Sequence, residues 1–195
     1  MGISIYYSGE LKEACLLPKL IEEVKDIAKV NQWEFRVFEN QFPNNQFTKN
    51  PASDDLYGIC VTPPGCETLS ICFLSNGKMS GPMQVVNWLH ATDETEKSYL
   101  YMCFVKTQFA GPQTHIIIVK ILKYLETKYF IRFRANDDGY YWQTNDENIL
   151  MAQFKLYNAL IDNFKIGLDV FEQKKGETIL DYLTRIAEQV HKKQK

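Results

Sequence analysis

Two hydrophobic periods divide the chain. Around "ISIYY" (3–7) and "WEFRVF" (33–38) apolar and polar residues alternate, with β-branched or aromatic side chains on one face, and this predicts two strands. Between them, residues 16–31 place Leu17, Leu20, Ile21, Val24, Ile27 and Ala28 on one helical stripe, with Pro18 tolerated in the first turn. Residues 39–56 lose both periods. They are polar, Asn-rich and interrupted by Pro43 and Pro51, which predicts a long loop, either a surface excursion or a lid anchored by Phe42 and Phe47.

A block of short apolar runs follows. "LYGICVT" (56–62) and "TLSICFL" (68–74) flank the turn "PPGCE", and Asn76-Gly77 is a strong hairpin signal. "MQVVNWL" (83–89) and "YLYMCFV" (99–105) predict two more strands, separated by the acidic "ATDETEK". Four strands on short turns imply antiparallel neighbours.

The helical period then dominates. Residues 111–130 carry Ile118, Leu122, Leu125 and Tyr129 along one line. "FIRFRA" (130–135) alternates as one more strand. Residues 147–164 align Leu150, Phe154, Tyr157, Ile161 and Phe164, and the helix from 176 onward aligns Ile179, Leu183, Ile186 and Val190. The order predicts one α+β domain over 1–195. In it, residues 1–135 build a single antiparallel-dominated sheet of about six or seven strands, with helices on one face. Residues 146–195 form a C-terminal helical pair packed on it.

Composition narrows the function classes. A net charge of −2 is far from the basic stripe that nucleic acid requires, although residues 98–195 are the more basic half (14 Lys and Arg against 11 Asp and Glu). The longest unbroken aliphatic run, "IIIV" at 116–119, is too short to cross a bilayer, so no membrane partner is expected. Tyr6 stands where a myristoylation signal needs Ser or Thr, and no signal-peptide layout opens the chain. The five cysteines are widely spaced and lack a C-x-x-C, which fits reduced thiols in a cytoplasm. Cys60, Cys72 and Cys103 read as core residues. Cys66 would need a neighbouring base to be a nucleophile, and nothing in the sequence places one.

No phosphate-binding glycine loop, nucleophile elbow or H-E-x-x-H motif is present, and the three histidines are far apart. No cofactor or metal is expected. Aligned as a calcium loop with Gly139 at its sixth position, "RANDDGYYWQTN" puts Arg134 where an acid is required and Asn145 where a bidentate Glu is required, which excludes that reading.

What remains is a candidate rim. His115, in the first turn of the Ile-rich helix, lies about 40° from its buried line, so it suits either a core position or a general base. Asp137 and Asp138 precede Gly139 and suit either a turn or an orienting acid. Tyr140, Tyr141 and Trp142 are three consecutive rings, and alternation buries only one face of them, leaving at least one ring for contact with a ligand or partner. If strand 130–135 pairs beside 99–105 and runs parallel to it, a crossover brings Thr107, Gln108, His115, Asp137, Asp138 and Tyr140 to one edge. Two functions fit. One is a non-catalytic module that binds another protein or a small polar ligand through Thr107, Gln108, Tyr140, Tyr141 and Trp142. The other is a small hydrolase using His115 with Asp137 or Asp138. The oligomeric state is open.

Overall fold

The computed structural model describes residues 2–48 and 55–192. The chain begins with β1 (Ser4–Leu11), a 3-10 turn, α1 (Leu17–Val30) and β2 (Glu34–Val37). It continues through β3 (Tyr57–Thr62), β4 (Leu69–Phe73), β5 (Met79–Ser80), α2 (Pro82–His90) and α3 (Glu94–Ser98). After a 3-10 turn at Tyr99–Tyr101 come β6 (Cys103–Lys106), α4 (Gly111–Tyr129), β7 (Phe130–Asp137), α5 (Tyr141–Thr144), α6 (Glu147–Val170) and α7 (Ile179–Lys192).

The class is α+β, but the expected single sheet is two. Strands β2-β3-β4-β5 form one antiparallel sheet and β6-β1-β7 the other. The division turns on one segment. Residues 83–89 form the helix α2, not a strand, because Pro82 sits in its first turn and Val85 and Trp88 fall three apart on one face. With that strand removed, β5 ends after two residues and the sheet stops. Likewise, only the end of the expected strand 99–105 is extended, since Tyr99–Tyr101 coils into the 3-10 turn.

Helices also cover more than one face. Ile59, Val61 and Ile71 point into the main core with Leu20, Ile21 and Val24 of α1. Their alternates Cys60 and Cys72 point the other way, into a smaller cluster with Leu56, Leu74 and Leu100 that Val85 and Trp88 of α2 cover. Buried on both faces, β3 and β4 read as continuous apolar runs.

The two sheets are stitched at two points along β1. At its middle, the Tyr7 hydroxyl donates to the Ser70 carbonyl at 2.8 Å and accepts from the Ser70 amide at 3.0 Å. Near its end, the Leu11 amide donates to the Gly77 carbonyl at 2.9 Å beside an isolated Glu10–Lys78 bridge. Tyr7 is almost fully buried, so its ring adds apolar area while its hydroxyl satisfies two backbone groups.

The described part of loop 39–56 is packed against the body. Phe42 is 1% exposed, stacks on Tyr57 at 4.5 Å and meets Phe47 edge-on at 5.1 Å. Residues 49–54 lie outside the described residues. In the C-terminal pair, α6 presents Leu150 and Phe154 to the core as expected. The expected stripe of α7 is turned: Ile186 is buried but Ile179 is 70% exposed. Arg185 bonds Glu177 through two nitrogens and Tyr182 donates to the Phe171 carbonyl, and these contacts rotate Tyr182 and Arg185 toward α6. The Val190 side chain lies outside the described residues.

Replacing Tyr7 by Phe keeps the ring but strands the Ser70 amide and carbonyl. The expected loss is about 1–3 kcal/mol, read as a lower urea midpoint at unchanged slope.

Candidate buried polar site

Both β6 and β7 run antiparallel to β1, so they run parallel to each other, and α4 is the crossover between them. β1 lies between the two strands, so they are not direct neighbours as the simplest crossover would have it. Ile5 pairs with Val105 on one side and Asp137 on the other. The end of β6, the start of α4 and the end of β7 therefore converge at one edge, where Ile3 and Ser4 enter.

A hydrogen-bonded chain closes this edge. The Thr107 amide donates to the Ile3 carbonyl at 2.9 Å. The Thr107 hydroxyl meets His115 Nδ1 at 2.8 Å, and His115 Nε2 meets Asp137 Oδ2 at 3.1 Å. Asp137 also accepts the Gly139 amide at 2.6 Å and the Trp142 amide at 2.8 Å. Gly139 is required by this proximity: a Cβ there would lie 3.1 Å from both Asp137 Oδ1 and His115 Nε2, and 2.5 Å from Leu150 Cδ1.

Burial pushes the Asp137 carboxyl up, but the bond and charge of His115 and the two amides outweigh it and hold the group below the usual carboxylate range. An ionised carboxylate only accepts, so Nε2 of His115 donates to it. Asp138 behaves in the opposite way: burial raises its carboxyl, the Ser4 amide lowers it, and neighbouring Asp137 raises it again. Its Oδ2 accepts the Ser4 amide at 3.1 Å, so it ties down β1, while Asp137 is the acid that meets His115.

Hydroxyl, imidazole and carboxylate stand in the order of a hydrolytic triad. Here, however, Thr107 and His115 are 0% exposed and Asp137 is 1% exposed. Phe154 closes over the imidazole edge-on, with ring centroids 5.9 Å apart, and Leu150 fills the space beside it. No substrate atom reaches within about 3 Å of the Thr107 hydroxyl in this conformation.

The remaining expected contact residues are split. Gln108 accepts the Ile3 amide at 3.0 Å and donates to Asn158 Oδ1 at 2.7 Å, linking β1 to α6. Residues 141–144 do not continue the strand; they turn into α5. Tyr141 enters the core, Trp142 is half-buried under Lys123, and Tyr140 is 52% exposed with a left-handed φ of 59°. Just outside the chain lies a groove of about 890 Å³ between residues 108–112 and α6, lined by Gln108, Phe109, Pro112, Met151, Phe154 and Lys155. Phe109 is 72% exposed and Met151 52%. Sequence reading missed the α6 contribution, because the stripe of α6 shows which residues face inward but not which helix they cross.

Among the described residues, no group of three or more His, Cys, Asp or Glu could hold a metal. All five cysteines are free. Burial and Glu67 push the Cys66 thiol up to about 12, which opposes a nucleophilic role. No described helix is long and apolar enough to cross a membrane. Comparison with known protein families, curated proteins and solved structures finds no match.

Asp137 stabilises the fold only as a carboxylate. Asp137→Asn should cost about 2–3 kcal/mol at neutral pH. Because the folded value is depressed, the gap to wild type is full above the unfolded value near about 3.9 and closes as pH falls below it through the folded value. Urea titrations of both proteins between pH 7 and 2.5 measure that gap.

Proposed function

We propose that this chain is a non-catalytic binding module, and that its site is the groove between residues 108–112 and α6. One observation carries the reading: two large apolar side chains, Phe109 and Met151, stand exposed at an open groove also lined by Phe154, the ring that packs on His115. Exposed apolar side chains around a groove suit an inserted apolar side chain, as a hot-spot pocket does. Lys155 and Asp162 offer one charge of each sign along α6, which suits a partner segment or small amphipathic ligand carrying polar groups beside its apolar anchor. Tyr140 remains an exposed ring available to a partner. Free thiols throughout fit a reducing compartment.

A second reading is a small hydrolase, and its support is the Thr107–His115–Asp137 order. It requires Phe154 to swing away and open the groove to the hydroxyl.

Methyl NMR on methionine-labelled protein separates the two. With a pool of aromatic and aliphatic fragments, the Met151 methyl should shift, and Phe109→Ala should abolish the shift. Hydrolysis of p-nitrophenyl acetate that is lost in Thr107→Val, with the circular dichroism spectrum and Tm close to wild type, would overturn the non-catalytic reading in favour of the second.

A further inference from the structure

The opposite end of β1 holds a different kind of site. Ser8 pairs with Arg134 and Glu10 with Ile131, so on β7 both Arg132 and Phe133 oppose the single residue Gly9. This is a β-bulge. Arg132 occupies it with a left-handed φ of 52°. Glycine is the residue that such a position favours, because a Cβ is strained there. The opposing residue, by contrast, is a glycine that the bulge requires: a Cβ on Gly9 would lie 2.9 Å from Phe133 Cδ2 and 3.3 Å from the Phe133 backbone. A bulge re-aims the side chain it carries, and here that side chain is a guanidinium held in a strained position.

What it is aimed at is a depression of about 360 Å³ lined by Ser8, Gly9, Glu10, Lys78, Tyr101, Arg132, Phe133 and Arg134. Three cations and one acid meet there. Glu10 pairs with Arg132 at 3.4 Å, which leaves Arg134 and Lys78 with no ion pair among the described residues. Lys78 is held 5.2 Å over the Tyr101 ring, and the Tyr101 hydroxyl accepts from Asn76 at 3.1 Å, which leaves its own proton to donate. One guanidinium fork free of any acid, a second shared with Glu10, an ammonium and hydroxyl donors around a small hollow match the oxygens of a phosphate.

We propose that this depression binds a small phosphate-bearing anion, either free phosphate or a phosphomonoester. The cations lining the depression are three, Lys78, Arg132 and Arg134, which fits one anionic group. The site is partly open to solvent, so its affinity is modest and falls with salt. It lies at the far end of β1 from the groove, and its test is independent of the binding-module reading.

The test is titration of the full chain at low ionic strength with sodium phosphate, phenyl phosphate, acetate and chloride, following the Ser8–Glu10 and Arg134 amides by NMR. We expect saturable shifts with phosphate at low-millimolar concentration, and about a tenfold loss of affinity in Arg134→Gln or Lys78→Gln. Tighter binding of phenyl phosphate identifies a monoester as the better ligand, and equal or weaker binding identifies free phosphate. Arg132→Gly provides a control that cannot be mistaken for unfolding. Relief of the backbone holds or raises Tm while phosphate affinity falls. Equal shifts with chloride or acetate, or unchanged phosphate affinity in Arg134→Gln or Arg132→Gly, would overturn the assignment.

Discussion

A single imidazole holds the converging edge of this fold together. β6, α4 and β7 all reach that edge because β6 and β7 flank β1 in the same direction and α4 must cross between them. Strand ends bring backbone groups with them, and at a buried edge each needs a partner. His115 reaches the end of β6 through Thr107 and the end of β7 through Asp137, while Asp137 takes up the amides of the turn that follows. Each member satisfies its neighbours in a region of near-zero exposure, so loss of one leaves the others unpaired in a low-dielectric interior. The arrangement is close to all-or-none, and the placement of α5 and α6 depends on it.

The same burial that makes this chain of bonds a strong brace separates it from solvent chemistry. An order of hydroxyl, imidazole and carboxylate is necessary for triad catalysis but not sufficient, because the hydroxyl must also meet a substrate. Phe154 stands on the boundary, forming the cover of His115 and a wall of the outer groove. The brace and the groove are thus adjacent layers of one region, with Phe154 shared between them.

Backbone strain falls at both ends of β7. Arg132 and Tyr140 adopt left-handed conformations that cost each about 1 kcal/mol or more relative to glycine. At Tyr140 the turn is enforced by the Asp137 carbonyl, which accepts its amide, and the ring is left outside. At Arg132 the bulge lifts a cation over the depression. Each strained residue projects a large side chain away from the core.

Much of this was legible in the chain itself. The stripes of α1, α4 and the first half of α6 are local patterns, set by apolar residues three and four apart. So is the Asn76-Gly77 turn. A crossover placed Thr107, His115 and Asp137 at one edge only on condition that its two strands were neighbours, and β1 lies between them. Only part of Tyr140–Trp142 is buried, but in the helical turn α5 and not through the strand alternation behind that expectation. The tertiary structure alone decided the rest. Val85 and Trp88 satisfy a strand and a helix equally until the apolar back of β3 and β4 is there to receive them. The break into two sheets depends on β5 ending at Pro82 and on Tyr7 reaching Ser70, sixty-three residues away. The seal over His115 depends on where α6 crosses α4. Periodicity records which side chains turn inward. Which surface meets them is set by packing between distant segments, and that information is not local to any stretch of the chain.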